Sequence, residues 1–184
     1  MAGGKGYYEV QMVGWAGQGL VSAARTLAQA AGIYDGKNVT QTEIHGISQR
    51  GGMSEAEVII SDEEIDYPYV RYPDILLALT PKECMDYLPN LKDDGFLIVD
   101  SIKVANVPET KARVYSLPLT QIARQAGAEL ATNMVALAVI SALSGVVSFK
   151  ALEQTIEERM PSRMKSVNLA ALKAGWEAVE KIKE

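Results

Sequence analysis

The sequence predicts an α/β fold in which helices lie on both faces of a mostly parallel sheet, giving three layers, α/β/α. Three observations lead to this prediction. Near the N-terminus a buried strand runs into a glycine-rich turn and then a helix. Strand and helix patterns alternate through the middle of the chain. From Thr120 onward the periodic segments are helical, so the C-terminal third is predicted to be helical as well.

The first element is a strand–turn–helix unit between Tyr8 and Gly32. The strand is indicated by Val10, Met12 and Val13. The turn contains Gly14, Gly17 and Gly19. The helix carries apolar residues at helical spacing, namely Leu20, Ala24, Leu27 and Ala31. We expect Gly32 to cap its C-terminus. A unit of this kind opens a Rossmann-like domain.

The turn is a candidate anion site. Glycine allows positive φ and close approach of a ligand, and the following helix points free N–H groups at the turn. Gln18 lies between two of the glycines and is a candidate with them. The spacing is G-x-x-G-x-G rather than G-x-G-x-x-G, and Ala16 stands where another glycine is usual. The alternative is that the glycines only let the helix pack closely on the strand.

Strands are predicted next at residues 39–44 and 56–61, the second paired back on the first, followed by a surface turn at 62–66. Residues 74–79 are continuously apolar after Asp74, as in a central parallel strand. A helix then begins with Thr80 as N-cap, Pro81 at its first position and Glu83 closing a capping box. Its predicted core face is Met85, Leu88 and Leu91.

Two further strands are predicted at residues 96–100 and 113–117, and helices at 120–126, 132–144, 148–160 and 165–183. The helix at 132–144 is apolar on nearly all sides, which predicts a buried core helix. The last helix carries one apolar stripe: Leu169, Leu172, Trp176, Val179 and Ile182. A stripe of this kind is more typical of a core or a subunit contact than of a cofactor site.

Composition excludes several classes of protein. The 184 residues are 48% hydrophobic, which suits one domain spanning residues 1–184. A net charge of −5 argues against bulk attraction to nucleic acid or an anionic membrane. Cys84 is the single cysteine, so one chain has no internal disulfide, cysteine-held iron–sulfur cluster or structural zinc site. Without a long apolar run or an apolar signal core, we expect a soluble cytoplasmic protein.

The remaining candidates lie between the second and third strands. His45 follows Glu43 by two residues, which puts both on one side of a strand, as an acid–base pair or as an ion pair. Arg50, Gly51 and Gly52 follow in a loop. If the preceding strand runs parallel to the first, this loop and the glycine turn share the carboxyl edge of the sheet, and Arg50 adds donors for phosphate or carboxylate. The alternative is a hairpin turn that needs glycine, with Arg50 in solvent.

Five segments occur in an order that carries a family resemblance: GWAGQGLVSAA (14–24), EIHGISQRGG (43–52), PDILLAL (73–79), DGFLIVDS (94–101) and NMVAL (133–137). Together they resemble the gamma subunit, or gamma domain, of the 2-oxoacid:ferredoxin oxidoreductases. The second segment resembles the small subunit of indolepyruvate oxidoreductases in particular. The family usually has glycine where Ala16 stands.

The resemblance implies a subunit that is inactive alone. The family decarboxylates a 2-oxoacid oxidatively on thiamine diphosphate with Mg, passes electrons through iron–sulfur clusters to ferredoxin, and forms an acyl-coenzyme A. Those groups are expected in catalytic alpha, beta and ferredoxin-like partner subunits, since this chain has no GDG…N thiamine motif and no cluster cysteines. The resemblance implies that this chain packs against the catalytic subunits and lies beside coenzyme A. The residues proposed to contact it are Gly14, Gly17, Gln18, Gly19, His45, Arg50, Gly51 and Gly52.

Two other functions fit the same sequence. The first is an NAD(P)-binding Rossmann-type oxidoreductase, in which Glu43 would stand within a few residues of the expected ribose-binding acid. The second is a purely structural subunit whose glycines serve packing only. Neither the particular 2-oxoacid nor the oligomeric state follows from the sequence.

Overall fold

The computed structural model describes residues 6–45 and 52–183. Its sheet has six strands, in the order β2-β3-β1-β4-β5-β6. The strands are β1 (Tyr7–Trp15), β2 (Asn38–His45), β3 (Met53–Ser61), β4 (Ile75–Ala78), β5 (Phe96–Asp100) and β6 (Arg113–Leu117). Adjacent strands β1, β4, β5 and β6 pair in parallel, whereas β3 is antiparallel to both of its neighbours. The predicted mostly parallel sheet and the predicted pairing of β3 back on β2 are confirmed.

Six α-helices complete the described fold: α1 (Leu20–Gln29), α2 (Pro81–Tyr87), α3 (Leu119–Gln125), α4 (Thr132–Ser144), α5 (Phe149–Arg159) and α6 (Ser162–Lys183). Ser148 begins α5 as its N-cap, because its side chain accepts a hydrogen bond from the Ala151 N–H at 3.1 Å. Pro161 separates α5 from α6. The predicted helical C-terminal third is therefore confirmed.

The two faces of the sheet carry different amounts of structure. One face holds the larger core, to which α1, α3, α4, α5 and α6 contribute. The other face holds a smaller core around α2. Helix α4 lies centrally in the larger core, where Leu137 is fully buried. Helix α6 packs closely on it at Gly175, because a Cβ there would stand 2.5 Å from the Val135 carbonyl oxygen.

Three local predictions are wrong. Gly32 does not cap α1, because the chain continues through a π-helical turn (Ala30–Tyr34) and takes up positive φ only at Gly36. Met85 is not in the core of α2; it is 58% exposed, and Cys84 is buried instead.

The prediction of a capping box at the start of α2 is also wrong. Thr80 is the N-cap and Pro81 follows it as expected, but the Thr80 hydroxyl bonds to the Glu83 carboxylate. No side chain caps the backbone N–H groups of this helix. Among the described residues, no helix has both the length and the apolar character that crossing a membrane requires.

Candidate functional site

The glycine turn after β1 is fixed by its own side chain. Gly17 and Gly19 have φ values of 93° and 75°, in the left-handed region that favours glycine. The Gln18 side-chain oxygen accepts a hydrogen bond from the Trp15 N–H at 2.6 Å. A Cβ on Gly14 would lie 2.3 Å from that oxygen, so glycine is required there for Gln18 to fold back on the strand. The turn is thus pre-organised without a ligand.

Asn133 connects this turn to helix α4. Its Nδ2 donates to the Gly19 carbonyl oxygen at 3.1 Å, and its Oδ1 accepts from the Met134 N–H at 3.0 Å. A Cβ on Gly19 would stand 2.6 Å from Nδ2. The first turns of α1 and α4 consequently lie side by side. Neither helix has an acidic residue in its own first turn, and no side chain caps α1. At α4 the chain itself compensates part of the dipole, because a 3-10 turn that carries Glu129 precedes the helix and bonds the Thr132 N–H.

A small cleft of about 120 Å³ opens in front of these two helix ends. It is lined by Gly17, Gln18, Leu79, Lys103, Glu129, Leu130 and Thr132. The chain leaves β1 toward one face of the sheet and β4 toward the other, and ligands of open α/β sheets bind at such a switch point. Lys103 contributes a cation, whereas the Glu129 carboxylate is bonded by Arg124 at 2.8 Å. The cleft therefore suits a small anionic group.

The loop between β2 and β3 begins and ends beside the same turn. His45 pairs with Ser54, which pairs in turn with Gly14. The Gly52 carbonyl oxygen accepts a hydrogen bond from the Ala16 N–H at 2.9 Å. Strand β2 thus runs in the same direction as β1, and the ends of the loop lie at the carboxyl edge of the sheet, as the sequence suggested.

Residues 46–51 lie outside the described part of the chain, and with them the predicted site residues Arg50 and Gly51. The same holds for the side chain of His45, and the proposed pairing of His45 with Glu43 stays a prediction. Of the predicted residues, the structure brings Gly14, Gly17, Gln18, Gly19 and Gly52 to one edge of the sheet.

The position of Glu43 argues against a dinucleotide site. In that class of site the ribose-binding acid ends the strand next to β1. Here β3 occupies that place: Glu43 pairs with Ala56 on β3, and Ala56 pairs with Met12 on β1. The exposed Glu43 is therefore one strand farther from the glycine turn than the NAD(P) hypothesis needs.

The described residues offer little other chemistry. Among residues 6–45 and 52–183, no group of three or more histidine, cysteine, aspartate or glutamate side chains could hold a metal ion. Cys84 is fully buried, and burial raises the pKa of its thiol, so it is a poor nucleophile.

Sequence reasoning missed Lys103 and Asn133 as members of this site. Lys103 follows β5 by three residues, and a position just beyond a parallel strand is a usable signal for the carboxyl edge. Asn133 is 7% exposed and lies far along the chain from Gly19. Only the packing of α4 beside α1 brings it to the turn.

Comparison with known proteins identifies the family. A family model described as pyruvate ferredoxin/flavodoxin oxidoreductase matches residues 9–178. The chain belongs to this family. The 2-oxoglutarate synthase subunit KorC of Methanothermobacter marburgensis is 38% identical over 178 residues, which cover 93% of this chain and 96% of that protein. The predicted family resemblance is confirmed.

Solved structures of similar chains have the same fold. The gamma subunit of the keto/oxoacid ferredoxin oxidoreductase from Geobacter sulfurreducens is 38% identical, with a TM-score of 0.84 over 95% of this chain and 99% of that one. The 2-oxoglutarate:ferredoxin oxidoreductase of Magnetococcus marinus, solved with 2-oxoglutarate, coenzyme A and succinyl-CoA, has a TM-score of 0.85 at 21% identity. That likeness shows the fold, and this chain covers 32% of the longer Magnetococcus chain.

Proposed function

We propose that this chain is the gamma subunit of a multi-subunit 2-oxoacid:ferredoxin oxidoreductase, an enzyme that converts a 2-oxoacid to an acyl-coenzyme A. The support is the family match over residues 9–178 and the similarity to KorC over almost the whole of both chains. We further propose that residues 1–184 form one gamma-type domain. In relatives such as the Magnetococcus enzyme, a unit of this fold is about a third of a longer chain.

The catalytic groups belong in this proposal to the partner subunits. One buried cysteine cannot hold an iron–sulfur cluster, so the clusters, thiamine diphosphate and Mg are assigned to the alpha, beta and ferredoxin-like chains. Ferredoxin is the proposed electron acceptor of the whole complex, and the complex is proposed to be cytoplasmic. The similarity to KorC makes 2-oxoglutarate the first substrate to test.

The isolated chain is therefore expected to have no oxidoreductase activity. The purified chain is assayed with 2-oxoglutarate, pyruvate and indolepyruvate, in the presence of thiamine diphosphate, coenzyme A and a viologen acceptor. The rate of viologen reduction is expected to equal the rate measured without protein. Turnover clearly above that rate would contradict the assignment of the catalytic groups to partner subunits.

The specific contribution of this chain is proposed to be a phosphate contact with coenzyme A at the glycine turn. The observation that carries it is the convergence of the N-termini of α1 and α4 on a cleft lined by Lys103. Helix N-termini favour phosphate through free N–H groups and their dipoles. Gly52 is bonded to Ala16 beside this cleft, and we propose that Arg50 and Gly51 of the adjoining loop contact the same ligand.

The test compares two cations in the assembled complex. Arg50→Ala should raise the Michaelis constant for coenzyme A roughly ten- to hundredfold, because a charge-assisted contact contributes about 1.5–3 kcal/mol. Lys103→Ala should also raise the Michaelis constant for coenzyme A. The Michaelis constant for the 2-oxoacid should stay unchanged in both variants, since decarboxylation is assigned to another subunit.

Lys111→Ala is the matched control, because Lys111 is exposed and lies before β6, at the opposite edge of the sheet. A result in which Arg50→Ala and Lys103→Ala weaken assembly but leave the coenzyme A dependence intact would favour a purely structural subunit. Tight binding of NADH by the isolated chain, measured by fluorescence, would favour the NAD(P) hypothesis instead.

A further inference from the structure

Strand β3 carries two buried glutamates on the face of the sheet that α2 partly covers. Glu55 and Glu57 are two residues apart on a strand, so both side chains project to the same face. They are 5% and 6% exposed, which is unusual for charged side chains without a cationic partner. No lysine or arginine of the described residues forms a salt bridge with either carboxylate.

Gln11 on β1 lies between the two carboxylates. Its Nε2 donates to Glu55 Oε1 at 2.7 Å and is 3.3 Å from Glu57 Oε1. Gln11 is 6% exposed, and its Oε1 is buried without a hydrogen-bond partner in the described structure. One amide therefore faces both acids, and this polar group is itself only partly satisfied.

The other contacts to the pair are neutral donors from three further parts of the chain. Thr42 on β2 donates its hydroxyl to Glu57 Oε2 at 2.8 Å, and the Val70 N–H approaches the same oxygen at 3.4 Å. Tyr87 on α2 donates its hydroxyl to Glu55 Oε2 at 2.6 Å. Asp86 on α2 adds a negative charge near Tyr87, and its carboxylate is paired with Lys82 of the same helix.

Two adjacent carboxylates in a buried place cannot both ionise cheaply. Desolvation disfavours each charge, and each charge disfavours the other. When groups interact this strongly, protons leave the pair in separate steps. We propose that Glu55 and Glu57 form a coupled acid pair, bridged by Gln11, in which the folded chain holds a proton on Glu57.

Glu57 is the better carrier of the two for physical reasons. Burial, the largest effect, raises the pKa of Glu57, and the charge of Glu55 raises it further. The hydrogen bonds from Thr42, Val70 and Gln11 lower the pKa without cancelling the rise. The pKa of Tyr87 is raised as well, by burial first and then by its bond to Glu55, so Tyr87 stays a neutral donor.

The site lies on β3, a few residues along the strand from its contact with the glycine turn. Glu55 pairs with Val13 in the ladder between β1 and β3, and two residues further along that ladder Met53 pairs with Trp15. The next backbone contact is the bond from the Ala16 N–H to the Gly52 carbonyl oxygen. Loss of the Glu57 proton would place two charges against Gln11 between β1 and β3. The proton on Glu57 is therefore expected to favour the pairing of β3 with β1 next to the glycine turn.

The test is a carbon-13 NMR titration of the glutamate side-chain carboxyl carbons in the intact 184-residue chain. In the wild-type chain, one glutamate should titrate clearly above the other glutamates. Glu57→Gln should remove that transition. Glu55→Gln should move the Glu57 transition down, because the neighbouring charge is gone while burial remains. Glu157→Gln, on an exposed face of α5, is the matched control and should leave the transition unchanged.

A count of protons released on unfolding gives an independent readout. Just above the ordinary glutamate range, the wild-type chain should release about one proton more on unfolding in urea than the Glu57→Gln variant does. If every glutamate titrates near its ordinary value and the two chains release equal numbers of protons, the proposal is overturned. If the raised transition survives Glu57→Gln and disappears in Glu55→Gln, the assignment to Glu57 is overturned.

Discussion

The two halves of the sheet are built on different principles. Strands β4, β5 and β6 are parallel, and β4 and β5 bury apolar side chains on both faces. Across β1, the half formed by β3 and β2 is antiparallel and buries carboxylates on one face. The change occurs within one row of the sheet, where Gln11 has Leu76 on one side and Glu57 on the other. We expect the apolar half to contribute more to the stability of the chain. The polar half lies beside the residues that are proposed to contact coenzyme A.

The largest expected effect is in the apolar half. Leu76→Ala should lower the free energy of unfolding by about 2–5 kcal/mol, because Leu76 is fully buried and its loss leaves a cavity. Val114→Ala on β6, where the side chain is 42% exposed, is the control and should cost less than about 1 kcal/mol. Urea unfolding followed by circular dichroism measures both. Equal costs would show that the burial of Leu76 on β4 does not contribute the expected stability.

The next prediction compares the loss of stability on substituting two glycines of the turn. Gly19→Ala should cost roughly 1–3 kcal/mol, because φ is 75° and the new Cβ would meet Asn133 Nδ2 at 2.6 Å. Gly17→Ala also has positive φ, but no atom lies within 4 Å of its Cβ, so only backbone strain of about 1–2 kcal/mol remains. Thermal melts of the two variants measure the difference. A larger loss at Gly17 would mean that the Asn133 contact does not constrain the turn.

The smallest expected effect is the pH dependence that Glu57, in the polar half, gives to the free energy of unfolding. The pKa of Glu57 is raised in the folded chain, so its contribution to stability is fully present below the ordinary glutamate pKa and is lost as the pH rises through the folded value. Glu57→Gln should remove this component. The stability of the wild-type chain relative to the variant should therefore fall as the pH rises across that window. Urea melts at a series of pH values measure it, and a difference that is independent of pH would contradict the raised pKa.

The strands of the apolar half could be predicted from the sequence because each is marked by its own run of apolar residues. Residues 74–79 and 96–100 are continuous or nearly continuous apolar runs, and a run of this kind predicts a strand buried on both faces. The helix at residues 132–144 was predicted with the bounds that α4 has, because its apolar character extends around the whole helix.

The polar half was less readable because its burial depends on distant segments. In β3 the glutamates alternate with apolar residues, which is the usual pattern of a strand with one face in solvent. Their burial comes from the chain around Val70 and from Tyr87 of α2, neither of which is a neighbour in sequence. The same reason hid Asn133 from the candidate site, whereas the local glycine pattern of residues 14–19 did predict the turn.

The reversed direction of β3 brings the two strands that border residues 46–51 to the same edge of the sheet. His45 pairs with Ser54, and the Gly52 carbonyl oxygen accepts a hydrogen bond from the Ala16 N–H. Antiparallel strands need no crossover helix between them. We therefore expect substitutions within residues 46–51 to leave the pairing of β1, β2 and β3 in place, so that this segment can acquire a new binding preference without a change of fold.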